Sequence, residues 1–62
     1  MRVGDKILLK KDILFRDGIV LKAGNVVEVN GVGERYGLPF IKPKGYPHER
    51  QLQFEDYAKI TQ

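Results

Sequence analysis

The stretch Leu21-Lys22-Ala23-Gly24-Asn25-Val26-Val27-Glu28-Val29-Asn30-Gly31 decides the fold class. Ala23-Gly24-Asn25 is turn chemistry, because glycine reaches positive φ without a steric penalty and asparagine tolerates it. Val26, Val27 and Val29 follow, and β-branched side chains favour the pleated backbone of a strand. Asn30-Gly31 then reads as a type I′ hairpin turn, since both residues accept positive φ. Turn, strand and turn in such close succession predict a small all-β domain of short strands.

The segment before this stretch extends the same pattern. Ile7, Leu9, Ile13 and Phe15 share one parity and are expected to face the core, with Lys6, Lys10 and Asp12 on the opposite side. Lys11 breaks the apolar parity, so a bulge or bend is expected across Lys10-Lys11-Asp12. Ile7, Leu8, Lys11 and Leu14 have partial helical spacing. A helix is nevertheless rejected, because the segment is rich in Ile and Phe and ends in the turn signal Arg16-Asp17-Gly18. Residues 19–21 form a short apolar piece.

Beyond Gly31 the chain remains β-like. Gly33 and Gly37 bracket Glu34-Arg35-Tyr36, which reads as a loop or a short strand. Residues 38–42 form a further strand, and Pro39 within it points to an edge position or a bulge. Residues 43–50, PKGYPHER, make the longest polar loop. Gln51-Leu52-Gln53-Phe54 alternates, which places Leu52 and Phe54 inward. Glu55-Asp56-Tyr57 reads as one helical turn before a last strand over 58–61.

Composition bounds the class. A chain of 62 residues is one domain, and a domain of this size buries only about 60% of the surface its unfolded chain exposes. There is no cysteine, which excludes disulfides and thiolate metal sites and fits a reducing, cytoplasmic location. His48 is the one histidine, so no metal or other cofactor is expected. No apolar run approaches the length of a bilayer span or a signal-peptide core. The net charge of +3 gives mild attraction to polyanions without the dense basic composition of a dedicated nucleic-acid binder. With 42% hydrophobic residues the chain is too apolar to read as disordered.

The order of a long first strand, a wandering loop, a hairpin, a tip loop, a helical turn and a final strand resembles the SH3-like barrels of many small bacterial and phage proteins. The resemblance is carried by residues 5–9 (DKILL), 21–29 (LKAGNVVEV) and 54–60 (FEDYAKI). It implies that residues 1–62 form a single SH3-like domain, a partly open five-stranded barrel with one short helical turn before the last strand. Its size and style are similar to phage or prophage proteins that act on a host factor. Val26 and Val27 stand where ribosomal and elongation-factor relatives often carry a second glycine. That departure weakens the transfer of RNA binding, and the tryptophan of the proline-recognising SH3 signature is missing, so proline recognition is not carried over.

Gly31-Val32-Gly33 with Gly37 is no phosphate loop, because Pro39 and an apolar run follow where a helix N-terminus is needed. The carboxylates of Asp5, Asp12, Asp17, Glu55 and Asp56 show no nucleophile–base constellation, so the chain is not expected to be an enzyme. Lys6, Lys10, Lys11, Lys22 and Lys59 read as outward strand residues that solubilise a face. Tyr57 reads as a cap on the core. The remaining tyrosines lie among cations, and tyrosine gives a large contact area at low entropic cost. The expected partner-binding face is therefore the 31–37 and 43–50 loops. Tyr36 and Tyr46 are its exposed anchors, flanked by Arg35, Lys44, His48 and Arg50. The expected partner is a protein. The alternative is nucleic acid, with bases stacked on the same aromatics. No membrane and no small-molecule substrate is expected.

Overall fold

The computed structural model describes residues 1–60. Eight short strands form three antiparallel sheets, and no closed barrel results. The strands are β1 (Lys6–Leu9), β2 (Ile13–Leu14), β3 (Val20–Leu21), β4 (Val26–Glu28), β5 (Gly31–Val32), β6 (Pro39–Ile41), β7 (Arg50–Gln51) and β8 (Tyr57–Lys59). The only helical elements among the described residues are two 3-10 turns, Arg16–Gly18 and Phe54–Asp56. The all-β reading holds, with no helix long and apolar enough to cross a membrane among the described residues.

The first sheet has the order β4-β1-β8, the second pairs β2 with β3, and the third has the order β5-β6-β7. In the first sheet Ile7 pairs with Val27 on one side and with Lys59 on the other. The break after Leu9 falls at Lys10-Lys11-Asp12, where the parity argument placed a bend. Asp12 holds that bend against the next turn: its Oδ1 accepts from the Ala23 amide at 2.8 Å, and its Oδ2 lies 3.7 Å from Lys22 Nζ. In the same turn Gly24 has φ +92°, which an L side chain rarely adopts.

Asn30-Gly31 does not form the expected hairpin. The chain runs on through it from β4 to β5, because backbone pairing is available on two sheets in succession. Val29 donates to Asp5 O at 2.8 Å and its carbonyl accepts from Gly4 N at 2.9 Å, which extends the first sheet. The next residue, Asn30, donates its amide to Phe40 O at 2.8 Å, which opens the third. The reversal comes later, where Gly33 N donates to Leu38 O at 2.8 Å and Gly37 N to Gly33 O at 3.0 Å.

Pro39 corrects a second expectation. It belongs to the central strand of the third sheet, not an edge. It is tolerated there because it is the first residue of that strand, and its carbonyl still accepts from Leu52 N at 2.9 Å. The helical turn starts one residue earlier than expected, at Phe54, and Asp56 Oδ2 accepts from Gln53 N at 2.8 Å to close it. That early start breaks the strand parity. Leu52 is fully buried, whereas Phe54 is 67% exposed. The last strand is Tyr57–Lys59, and Thr61 lies outside the described residues.

All three sheets feed one core. Ile7 and Leu9 come from β1, Ile13 from β2, Ile41 from β6, and Phe15, Val29, Tyr46 and Leu52 from the connecting segments. The four residues Ile7, Leu9, Ile13 and Phe15 are all buried, as their shared parity requires. Tyr57 is half-buried against this cluster.

Leu52 and Phe54 make a direct comparison. Leu52→Ala is expected to cost about 2–5 kcal/mol of unfolding free energy through cavity formation. Phe54→Ala should stay within roughly 0.5 kcal/mol of the parent, as exposed positions do. Urea unfolding of both variants checks this, and a large loss at Phe54 would contradict the exposed placement.

Candidate cleft between the hairpin turn and the polar loop

The second sheet is a small hairpin whose turn is the 3-10 segment Arg16–Gly18, closed by Phe15 N donating to Ile19 O at 2.7 Å. The polar loop that joins β6 to β7 folds against this turn. It reverses at Pro43 to Tyr46, with the Tyr46 amide donating to Pro43 O at 3.0 Å and Gly45 at φ +79°. Two side chains then fasten it to the hairpin. Tyr46 Oη donates to Arg16 O at 2.9 Å, and the Arg50 guanidinium donates to Leu14 O.

Between loop and hairpin lies a cleft of about 320 Å³, lined by Leu14, Phe15, Arg16, Tyr46, His48, Glu49 and Arg50. Its floor is aromatic. The Phe15 and Tyr46 rings meet edge to face at 5.8 Å, and His48 stands edge to face on Tyr46 at 5.6 Å. Leu14 forms an apolar wall, 58% exposed. Arg16 and Arg50 bring positive charge to the rim, and Lys42 and Lys44 stand exposed on the same loop. Among the described residues Glu49 is the one carboxylate lining the cleft, and its Oε2 accepts from Asn30 Nδ2 at 2.5 Å.

The structure divides the six residues expected to share a face. Arg35 and Tyr36 sit in the turn between β5 and β6, at the start of β6. Lys44, Tyr46 and His48 sit in the connection at its far end, with Arg50 opening β7. Consecutive turns of an antiparallel meander lie at opposite ends of the sheet, so these are two locations. Tyr36 is 67% exposed as expected, with the Arg35 guanidinium carbon 5.9 Å from its ring centroid.

Tyr46 is a correction. It is a core residue with 7% exposure and cannot be an exposed anchor. Its loop is short of apolar residues, so its ring is what closes the core at that end, and only part of it reaches the cleft. Leu14, Phe15 and Arg16 were not expected at a binding site. The one sequence signal for Leu14 is its parity, opposite to the buried Ile13 and Phe15.

Among the described residues the carboxylates do not gather into a cluster. Glu55 lies 3.9 Å from Lys11 and Asp12 3.7 Å from Lys22, both pairs exposed on the surface. Among the described residues no three His, Cys, Asp or Glu side chains come together as a metal site. No family model, no curated protein and no solved structure matches the chain.

Tyr46 separates the roles of ring and hydroxyl. Tyr46→Phe keeps the ring and loses the hydrogen bond to Arg16 O, at a cost of about 1 kcal/mol. Tyr46→Ala removes the ring from the core and is expected to cost about 3–5 kcal/mol. Thermal unfolding of both variants checks the ordering; equal losses would mean the ring does not close the core.

Proposed function

We propose that the chain is a non-enzymatic interaction module with an SH3-like layout, and that its partner is a protein held in the cleft. The layout is supported by connectivity. β4 and β5 run on as one bent strand, which with β1, β6, β7 and β8 makes five. The β2–β3 hairpin is then an excursion between the first and second strands, and the second 3-10 turn precedes the last. The observation that carries the binding reading is the cleft itself. An aromatic floor, one exposed leucine wall and two rim arginines form an apolar centre with a charged border, the anatomy of a small protein interface.

Nucleic acid is the second reading, favoured by the cations at positions 16, 42, 44 and 50. It needs open aromatic faces for stacking, whereas Phe15 and Tyr46 are both buried in the core cluster.

The test is affinity capture from lysate, with and without nuclease, using three forms of the protein: the parent and two variants. Arg16→Gln combined with Leu14→Asp alters the cleft at two exposed side chains. Tyr36→Ala alters the distant turn. The reading expects the cleft variant to lose its partner by at least about tenfold, the scale of a hot-spot truncation. The Tyr36 variant should retain it. Loss with Tyr36→Ala alone moves the site to the other end of the sheet. A partner retained only without nuclease, with steep salt dependence, supports nucleic acid.

A further inference from the structure

We infer that the cleft takes an acidic peptide segment carrying one bulky apolar side chain; this rests on the reading of the cleft as the partner site. The apolar side chain is specified by what it would meet. Leu14 is largely exposed although it belongs to a strand, and the Phe15 and Tyr46 rings behind it offer carbon edges. A cleft of about 320 Å³ admits one large side chain with its flanking backbone, and no more.

The acidic flanks follow from the charge around that point. Three lysines elsewhere on the molecule meet carboxylates, in Lys6–Glu28, Lys11–Glu55 and Lys22–Asp12. At the cleft the balance is different. Arg16 and Arg50 line it and Lys42 and Lys44 stand exposed on the same loop, against one lining carboxylate among the described residues, Glu49. Among the described residues the Arg16 guanidinium has no hydrogen bond or ion pair, since the contacts at this position are made by its backbone carbonyl. Five N–H donors in a planar fork at the mouth of an apolar cleft suit a carboxylate, which accepts them in pairs. Arg50 gives one of its nitrogens to Leu14 O and keeps its remaining N–H groups for the same rim.

Glu49 supplies the internal control. Its carboxylate opposes an incoming anion, yet its contact with Asn30 Nδ2 needs only an oxygen acceptor. Glu49→Gln therefore removes the charge while an amide oxygen can keep the bond. Arg16→Gln removes the opposite charge at a side chain with no hydrogen bond or ion pair to the other described residues. The two substitutions should move affinity for an acidic peptide in opposite directions.

The experiment is an NMR titration of the whole protein with capped decapeptides containing one Phe. The Phe is flanked by Glu and Asp, by Gln and Asn, or by Lys, and a ten-nucleotide dT strand is the fourth probe. The expected result is saturable shifts at Leu14, Phe15, Arg16, Tyr46 and His48 with the acidic peptide. Arg16→Gln should weaken its affinity by about tenfold, the worth of one charge-assisted hydrogen bond. Glu49→Gln should tighten it, by about threefold for a rim charge. Equal shifts of these residues by the neutral or basic peptide would overturn the acidic specificity and leave the cleft as the site. Peptide shifts confined to other residues, or absent altogether, would overturn the cleft reading as well. Perturbation of the cleft by dT alone would replace both with nucleic-acid binding.

Discussion

The fold turns on two adjacent peptide groups. Val29 exchanges backbone hydrogen bonds with the Gly4-Asp5 segment, and Asn30 donates to Phe40 in a different sheet. One uninterrupted stretch thereby belongs to both larger sheets, and the fully buried Val29 side chain lies in the core between them. A tight turn at this point would detach the two sheets from each other. The strong local preference of Asn-Gly for a hairpin is outweighed because each backbone group already has a partner in extended geometry, and burial makes those partners obligatory.

Tyr46 does for the cleft what Val29 does for the sheets. Its ring belongs to the core while its hydroxyl reaches the hairpin turn. The polar loop carrying His48 and Glu49 is thus held at both ends, by Tyr46 and by the Arg50 contact with Leu14 O. A loop pinned in this way holds its side chains in place, so a ligand meeting them would pay little of the ordering cost that mobile loops incur. Arg35 and Tyr36, on the other hand, occupy a turn whose aromatic ring is free of the core, and Arg35 lies across it.

Much of the fold was legible because it depends on local alternation. Ile7, Leu9, Ile13 and Phe15 are buried as their parity requires, and the charged break after Leu9 falls where the pattern fails. Parity misleads at Phe54, because the 3-10 turn begins on that residue and rotates it outward. Pro39 was misplaced because position within a strand, which sequence does not mark, decides whether its missing N–H matters. The candidate site was legible only in pieces. Of the expected residues Tyr46, His48 and Arg50 line the cleft while Lys44 does not, and Leu14 and Arg16 meet that loop through contacts across 30 or more residues, as from Arg16 to Tyr46. Nothing in a polar stretch such as PKGYPHER marks which of its members turns inward.

The position of β1 has a kinetic consequence. It is the middle strand of its sheet, between β4 and β8, so the start of the chain is completed only by residues near its end. Pairings that span most of the sequence require loop closure before they return any stabilisation. Chains built this way fold on the order of milliseconds to seconds, where local helical bundles take microseconds. During synthesis β1 therefore waits with one edge unpaired until Tyr57–Lys59 has emerged, flanked by the charged residues Lys6 at its start and Lys10 just beyond its end, and charge at a strand edge disfavours pairing with a wrong neighbour.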